Sequence, residues 1–187
     1  MPDVKDASSL IDNADIETEF IRRLGQLNRT EITWMRREGG RAMSDVSSQK
    51  SYIGFYKSLP AGAVKTGGEE CAPEDVWFQA ACIIAEIIAQ QENRDEPGSP
   101  IPLASALAKM DAKAGSDLMG KRMTAALDTS WTEDGYAAQL VYRLVRSALN
   151  DEHNIDTTQI LHDALHWNDA GQNVAFRWTD DYNAQKR

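Results

Sequence analysis

The segment 73–91 constrains the fold more than any other part of the chain. Pro73 followed by Glu74 and Asp75 is typical of a helix start, because proline fits the first turn and acidic side chains are favoured there. Apolar side chains then cover most of the helix circumference, at Val76, Trp77, Ala80, Ala81, Ile83, Ile84, Ile87 and Ile88. A helix that is apolar nearly all round has to be covered on every side. We therefore expect this helix to lie in the middle of a helical bundle.

The remaining segments also carry the helical period. Apolar residues recur three and four positions apart in segments 16–28, 102–113, 118–127, 133–150, 156–168 and 172–184. Two shorter helices are expected around 30–38, with Thr30 as the N-cap, and around 52–59. No segment shows the sustained period-two alternation of a strand. The sequence therefore predicts an all-α fold, a helical bundle of about eight or nine helices in one body or two packed helical lobes.

The length of 187 residues suits one domain or two small lobes. Residues 1–15 are acidic and polar, and we expect a flexible tail there, followed by a single all-helical domain over 16–187. If the bundle divides into lobes, the proline- and glycine-rich linker at 93–102 is the expected boundary. The glycine-rich loop at 61–72 lacks the GxxxxGK[ST] pattern and follows no strand, so it is not interpreted as a nucleotide-binding P-loop.

The sequence argues against a membrane protein, a secreted protein and a CxxC site. The sequence has no run of about 18 apolar residues, so no membrane span is expected. The first fifteen residues contain no apolar signal core, which favours a cytoplasmic protein. Cys71 and Cys82 are too far apart for a CxxC site, so we expect two reduced thiols.

Charge is distributed unevenly along the chain. The formal net charge is -9, yet residues 21–65 hold nine Lys/Arg against three acids, which gives +6 for that segment. Residues 1–20 contribute -5 and residues 66–187 contribute -10. A local positive field can bind an anion while the rest of the molecule remains acidic. Within it, Arg36, Arg37 and Arg41 lie close together in 30–41, TEITWMRREGGR, which we interpret as a contact for a polyanion such as a nucleic acid backbone.

Two structural explanations compete with that interpretation. Cations near a helix C-terminus are favoured by the helix dipole, and clusters also arise on ordinary solvated helix faces. Further basic residues lie on other predicted helices, and the whole set is Arg22, Arg23, Arg36, Arg37, Arg41, Lys50, Lys57, Lys121, Arg122, Arg143, Arg146 and Arg177. If the fold gathers them on one face, they form a track for a phosphate backbone.

The search for catalytic chemistry yields nearly nothing. His162 and His166 in the motif HDALH share a helix face and resemble the HExxH zinc arrangement, but the acid is Asp and only two ligands are in place. Carboxylates adjacent in sequence, such as Asp180 and Asp181, do not face each other on a helix. We therefore predict no catalytic residue, no metal and no cofactor, which favours a binding protein.

The order of several motifs resembles the small subunit of the type I-E CRISPR surveillance complex Cascade, the CasB family. The resemblance spans about residues 17–183 and is carried by MRREGGRA, SYIGFYKSLP, VWFQAACIIAEIIA, PLASALAKM, GKRMTAALD and LVYRLVRSAL. Its most specific part is IDTTQILHDALHWNDAGQNVAFRWTDDY. The chain departs from the family pattern at Ala104, where glycine is frequent, and at 121–123, where Arg-Arg-Phe is frequent. Lysine at 121 keeps the charge but loses bidentate phosphate geometry.

The resemblance implies a non-catalytic helical subunit of an RNA-guided complex in antiviral defence. It implies two copies per complex, contacts with the backbone subunits and the large subunit, and sequence-independent backbone contacts that stabilise the R-loop of crRNA and target DNA, including the displaced strand. The nucleic-acid-binding residues predicted are Arg36, Arg37, Arg41, Lys50, Lys57, Lys121, Arg122, Arg143 and Arg146. Arg177 is expected to pair with Asp180 or Asp181 instead.

Two other functions remain open at this point. One is a helical protein–protein adaptor whose basic patch docks on an acidic protein. The other is a metal-dependent hydrolase that uses His162 and His166.

Overall fold

The computed structural model describes residues 13–64, 73–92, 94 and 98–186, with side chains from residue 16 onward. Within these ranges the chain forms nine α-helices: α1 Asn13–Leu24, α2 Arg29–Arg36, α3 Ser51–Ser58, α4 Glu74–Gln91, α5 Leu103–Ala114, α6 Leu118–Leu127, α7 Tyr136–Asn150, α8 Thr157–Leu165 and α9 Val174–Ala184. A 3₁₀ helix at Met43–Asp45 follows α2, and in the same ranges extended backbone pairs only at one parallel bridge, Ile101 to Ile155. The predicted all-α bundle of about eight or nine helices is confirmed.

Helix α4 lies at the centre of the bundle, as its apolar circumference predicts. Thirteen of its 18 residues are buried, and α2, α7 and α8 all pack against it. Two polar residues, Gln79 and Glu86, are buried in this helix and both have partners. The Gln79 side chain accepts a hydrogen bond from Trp131 Nε1 at 2.6 Å and donates to the backbone of Thr132 at 3.2 Å. Buried polar groups of this kind fix the orientation of a helix because each must keep its partner.

The start of α2 differs from the prediction. The N-cap is Asn28 rather than Thr30: its side chain accepts hydrogen bonds from the backbone N–H groups of Thr30 and Glu31, both at 3.0 Å. The Glu31 carboxylate in turn accepts from the Asn28 N–H at 3.2 Å, which completes a capping box. Helix α1 ends at Leu24, earlier than the predicted Asn28, and residues 25–27 form a turn that leads into the capped start of α2.

In the second half of the chain, α5 packs against α6, α7 and α9. Asp111 on α5 is 1% exposed and organises this region. Its carboxylate accepts hydrogen bonds from Gly120 N at 2.9 Å, Met119 N at 3.0 Å, Ser116 Oγ at 2.9 Å and Tyr182 Oη at 2.6 Å. One carboxylate thus anchors the first turn of α6 and the aromatic ring from α9.

Some predictions concern parts of the chain only partly covered by the structure. Residues 1–12 of the predicted tail, residues 65–72 of the glycine-rich loop with Cys71, and most of 93–97 in the linker lie outside the described residues. The division into a tail and one domain therefore stays a prediction. Cys82 is a free, buried thiol. In the described ranges, none of the helices has the length and apolar character needed to cross a membrane.

Candidate nucleic-acid interface

The turn after α2, with the sequence RREGGR at 36–41, directs its charged side chains alternately inward and outward. Arg36 points inward and donates two hydrogen bonds to Glu86, at 3.1 and 3.2 Å. Glu38 is 1% exposed and accepts hydrogen bonds from Ser47 N at 2.8 Å and Ser51 Oγ at 2.7 Å. Arg37 and Arg41 are exposed. The inward pair holds the turn in place, and the outward pair is presented to solvent.

Two glycines let this turn lie directly on α7. Gly39 and Gly40 have φ values of 58° and 78°, in the left-handed region that favours glycine. A Cβ atom at Gly40 would come within 2.8 Å of the Ala138 carbonyl oxygen, and one at Gly39 would lie 3.1 Å from the Tyr142 ring. Any side chain at Gly40 would push the turn away from α7. The glycines therefore bring Arg37 and Arg41 close to the arginines on that helix.

The result is a groove of about 740 Å³ between the turn, α6 and α7. Five of the predicted arginines line it: Arg37, Arg41, Arg122, Arg143 and Arg146. All five are exposed, and no described residue forms an ion pair with any of them. The one acid in the lining is Glu38, whose carboxylate is engaged with Ser47 and Ser51. The convergence required for a phosphate track is therefore present for these five residues.

Helix α7 supplies the floor of the groove and two of its arginines. Its core-facing side, with Leu144 and Val145, is buried, while Arg143 and Arg146 lie three residues apart on the exposed side. The Arg146 guanidinium lies 5.9 Å from the centre of the Tyr142 ring, close enough for a cation–π contact. The amphipathic pattern of α7 thus places its basic pair on the groove.

Tyr142 connects the groove to the buried ion pair beneath it. Its hydroxyl lies 3.1 Å from the Glu86 carboxylate and 3.2 Å from the Arg36 carbonyl oxygen, so both acceptors are within hydrogen-bond range. Burial, together with the negative charge of Glu86, raises the pKa of Tyr142 to about 12. The phenol is therefore a neutral hydrogen-bond donor at physiological pH. Arg36, Glu86 and Tyr142 form a layer that supports the arginines above.

The other predicted nucleic-acid-binding residues lie elsewhere. Arg36 has its guanidinium on Glu86, and Lys57 forms an ion pair with the buried carboxylate of Glu31. The Lys50 ammonium lies 5.3 Å from the centre of the Trp34 ring. Lys121 is exposed next to Arg122 but does not line the groove. Their assignment to nucleic acid stays a prediction.

The predicted partner of Arg177 is wrong. Its guanidinium pairs with Asp163 on α8, not with Asp180 or Asp181 on its own helix. Asp163 is 1% exposed and also accepts a hydrogen bond from Trp178 Nε1 at 2.6 Å. A buried carboxylate attracts the nearest guanidinium more strongly than exposed acids in water do, because the local dielectric is lower.

Sequence reasoning missed Glu86, Glu38 and Glu17 as organising residues. Glu86 is the only acid between Val76 and Gln91 on an otherwise apolar helix, and such a residue needs a cation or several hydrogen-bond donors if it is buried. A single acid on an apolar helix could therefore have been recognised from the sequence.

Glu17 joins His162 and His166 in the one group of histidine and acidic side chains among the described residues that could hold a metal ion.

The sequence model of the family CRISPR-associated protein Cse2 matches residues 31–182, which is most of the chain. The chain belongs to this family. The resemblance inferred from the motif order is confirmed, and the matched region contains all five arginines of the groove.

Solved structures support the same fold. A chain of a CRISPR RNA-guided surveillance complex superposes with a TM-score of 0.66 at 22% identity, covering 92% of this chain and 94% of that one. The crystal structure of M. ruber CasB gives a TM-score of 0.63 at 19% identity, covering 90% and 93%. At these identities the likeness concerns the fold. No curated protein sequence matches significantly.

Proposed function

We propose that the chain is a non-catalytic subunit of a type I-E CRISPR RNA-guided surveillance complex, Cascade, and acts in antiviral defence. Membership of a CRISPR-associated family supports this setting. A similar fold in a chain of an RNA-guided surveillance complex supports it further. The observation that carries the mechanism is the groove lined by five arginines that lack acidic partners among the described residues.

The groove is suited to a nucleic acid backbone. Guanidinium groups bind phosphate oxygens through two parallel hydrogen bonds, and here their donors are not occupied by carboxylates. Such contacts read the backbone and not the bases, so binding is independent of sequence. Exchange of a DNA duplex for an RNA–DNA hybrid is nearly balanced in free energy, so a few phosphate contacts are enough to favour the R-loop.

The acidity of the chain affects how strongly it binds nucleic acid on its own. With a net charge of -9, the whole molecule repels a polyanion at long range, while the groove attracts it locally. We therefore expect weak nucleic acid binding by the isolated chain and a strong effect inside the complex. The partners proposed are the backbone subunits, the large subunit, a second copy of the chain, the crRNA and the displaced strand of the target DNA.

The residues of the groove favour binding over catalysis. The Glu38 carboxylate is buried and held by two serines, and Tyr142 is a neutral phenol bound beside Glu86. The other polar lining residues are Gln139, Ser147 and Asn150, besides the arginines. This lining offers no carboxylate or histidine free to act as a general base.

The proposal is tested with a guide-loaded complex prepared without this subunit, together with its matched partners. Binding of target duplex is measured after addition of wild type, Arg143→Ala/Arg146→Ala, or the control Arg22→Ala/Arg23→Ala. The control removes the same charge from a site where both arginines pair with Glu19. Wild type and control should tighten target binding, and the groove variant should join the complex but lose most of that gain.

Two results would oppose the proposal. If wild type neither joins the complex nor tightens target binding, the chain is not a subunit of it. If the groove variant fails to join a complex that wild type and control both enter, the groove binds an acidic protein, and the adaptor function is favoured.

A further inference from the structure

A cluster of two histidines and a glutamate joins α1 to α8. His162 and His166 lie one turn apart on α8, with ring centres 4.5 Å apart. The Glu17 carboxylate of α1 lies 3.2 Å from His162 Nδ1 and 3.7 Å from His166 Nε2. None of the three lines the arginine groove.

The burial of the Glu17 carboxylate favours a bound cation. This residue is only 6% exposed, and within the described part of the chain its carboxylate has polar contacts with the two imidazoles alone. A buried carboxylate is costly unless a cation or hydrogen-bond donors compensate its charge, and a divalent ion held by the same three side chains would supply that charge.

We propose that Glu17, His162 and His166 form a zinc site. Zn²⁺ bonds of about 2.0–2.1 Å in a tetrahedral arrangement separate neighbouring ligand atoms by about 3.3 Å. One oxygen of Glu17, Oε1, lies 3.4 Å from His162 Nδ1 and 3.7 Å from His166 Nε2, slightly more than this value, and all three ligand atoms lie within 4.8 Å of one another. Two imidazole nitrogens with one carboxylate oxygen suit Zn²⁺ better than the oxygen-seeking Mg²⁺ or Ca²⁺.

An acidic side chain and two cavities lie next to the cluster. Asp169 Oδ2 lies 3.8 Å from His166 Nδ1, the ring nitrogen that does not face Glu17. At this distance the contact is electrostatic and too long for a hydrogen bond, and a carboxylate that moved into hydrogen-bond range would orient a metal-bound imidazole. Cavities of about 640 and 600 Å³ reach the cluster from two sides, one at His162 and the other at His166, and both include Glu17. Water therefore has access to the fourth coordination position.

The consequence of binding is structural. The motif HDALH supplies only two ligands, too few to predict a metal site, and the third ligand comes from 145 residues earlier in the chain. Helix α1 packs mainly on α3 and α8. A zinc ion held by both α1 and α8 would fasten the first helix to the rest of the bundle.

The test uses the tag-free full chain after removal of metal with a chelator. Calorimetric titration with Zn²⁺ should give one ion per chain. Thermal unfolding at a free Zn²⁺ concentration one hundred times the Kd should show a rise in Tm of about 5–10 °C. His162→Gln and Glu17→Gln should abolish both effects. The control, His153→Gln, changes the only other histidine and should keep them.

Wild type alone gives an independent readout, so the test holds even if a variant folds poorly. Co²⁺ bound at this site should give the intense visible absorption of a tetrahedral centre, and Zn²⁺ should displace it. The proposal is overturned if wild type binds no stoichiometric Zn²⁺, in which case the cluster is a histidine–carboxylate contact only. It is also overturned if His162→Gln binds Zn²⁺ as tightly as His153→Gln does.

Discussion

The Arg36 guanidinium and the Glu86 carboxylate form a two-point ion pair, with nitrogen–oxygen distances of 3.1 and 3.2 Å. The pair lies beneath the turn that presents Arg37, the next residue in the sequence, to solvent. Glu86 is only 2% exposed, so its charge depends on this partner. Two adjacent arginines that look equivalent in the sequence therefore have different tasks, one in stability and the other at the groove.

Replacing Arg36 should mainly reduce stability. In Arg36→Ala, Glu86 keeps its hydrogen bonds with Tyr142 and Gln90 but loses its cation. Removing one partner of a buried pair costs about 3–5 kcal/mol, and because Arg36 is one-third exposed we expect roughly 2–4 kcal/mol. Urea denaturation followed by circular dichroism measures this change in the free energy of unfolding.

The matched control is Arg37→Ala, which should change the free energy of unfolding by at most about 0.5 kcal/mol, since its side chain is exposed and forms no ion pair with any residue in the described ranges. In the complex, however, Arg37→Ala should weaken target binding. Equal destabilisation by the two variants would contradict the assignment of separate tasks.

A methyl group at Gly40 should displace the turn from α7. Gly40→Ala places a Cβ atom 2.8 Å from backbone atoms of Ala138, at a φ of 78°. We expect destabilisation of about 1–3 kcal/mol and weaker target binding, because Arg37 and Arg41 move away from Arg143. Thermal unfolding and target binding by the reconstituted complex are the measurements.

The control Gly62→Ala tests whether the effect of Gly40→Ala comes from backbone strain or from the close approach to α7. Gly62 also has a positive φ, 85°, but no atom of the described residues lies within 4 Å of the position of its Cβ atom. The Gly62→Ala variant should be destabilised by backbone strain alone, and its target binding should equal that of wild type. If Gly40→Ala binds target as well as Gly62→Ala does, the close approach to α7 is not what assembles the groove.

Acid sensitivity should depend on Asp111. Burial alone would raise the pKa of this carboxyl, but hydrogen bonds from Tyr182, Met119, Gly120 and Ser116 outweigh burial and hold its pKa below the ordinary value of 3.8. A carboxyl whose pKa is lowered by folding stabilises the protein above its unfolded pKa, and this stability is lost as the pH falls through the folded value. Wild type should therefore lose stability as the pH falls below about 4.

Urea denaturation of Asp111→Asn between pH 7 and pH 3 tests this expectation. The variant should be less stable than wild type at pH 7, and the difference should shrink towards pH 3. Asp128→Asn, which changes an exposed aspartate at the end of α6, serves as the control and should follow wild type. A constant difference between Asp111→Asn and wild type over the whole range would show that the loss is independent of ionisation.

Periodicity was enough to predict the helices, the central position of α4 and the exposed basic faces of α6 and α7. These features depend on residues three or four positions apart, which the sequence displays directly. The capping box at Asn28 and Glu31 is equally local, and the preference for Thr30 overlooked it. The fold class was therefore accessible from sequence alone.

Long-range pairing was not accessible in the same way. Arg36 meets Glu86 across 50 positions, and Glu17 meets His162 across 145. Nothing in the spacing of such residues indicates their contact, because it depends on how the helices pack. The sequence therefore displayed the basic residues but could not separate Arg36, which is bound inside, from the five arginines that share the groove.

The salt dependence of target binding tests most directly whether the groove binds phosphates. Complexes that contain wild type, Arg37→Ala/Arg41→Ala or the control Arg22→Ala/Arg23→Ala are titrated with target DNA over a range of salt concentrations. Each phosphate contact to a single strand contributes about 0.7 to the slope of log K against log salt, so losing two should make the slope shallower by about 1.4. The control should keep the wild-type slope. Identical slopes and affinities for all three complexes would contradict the claim.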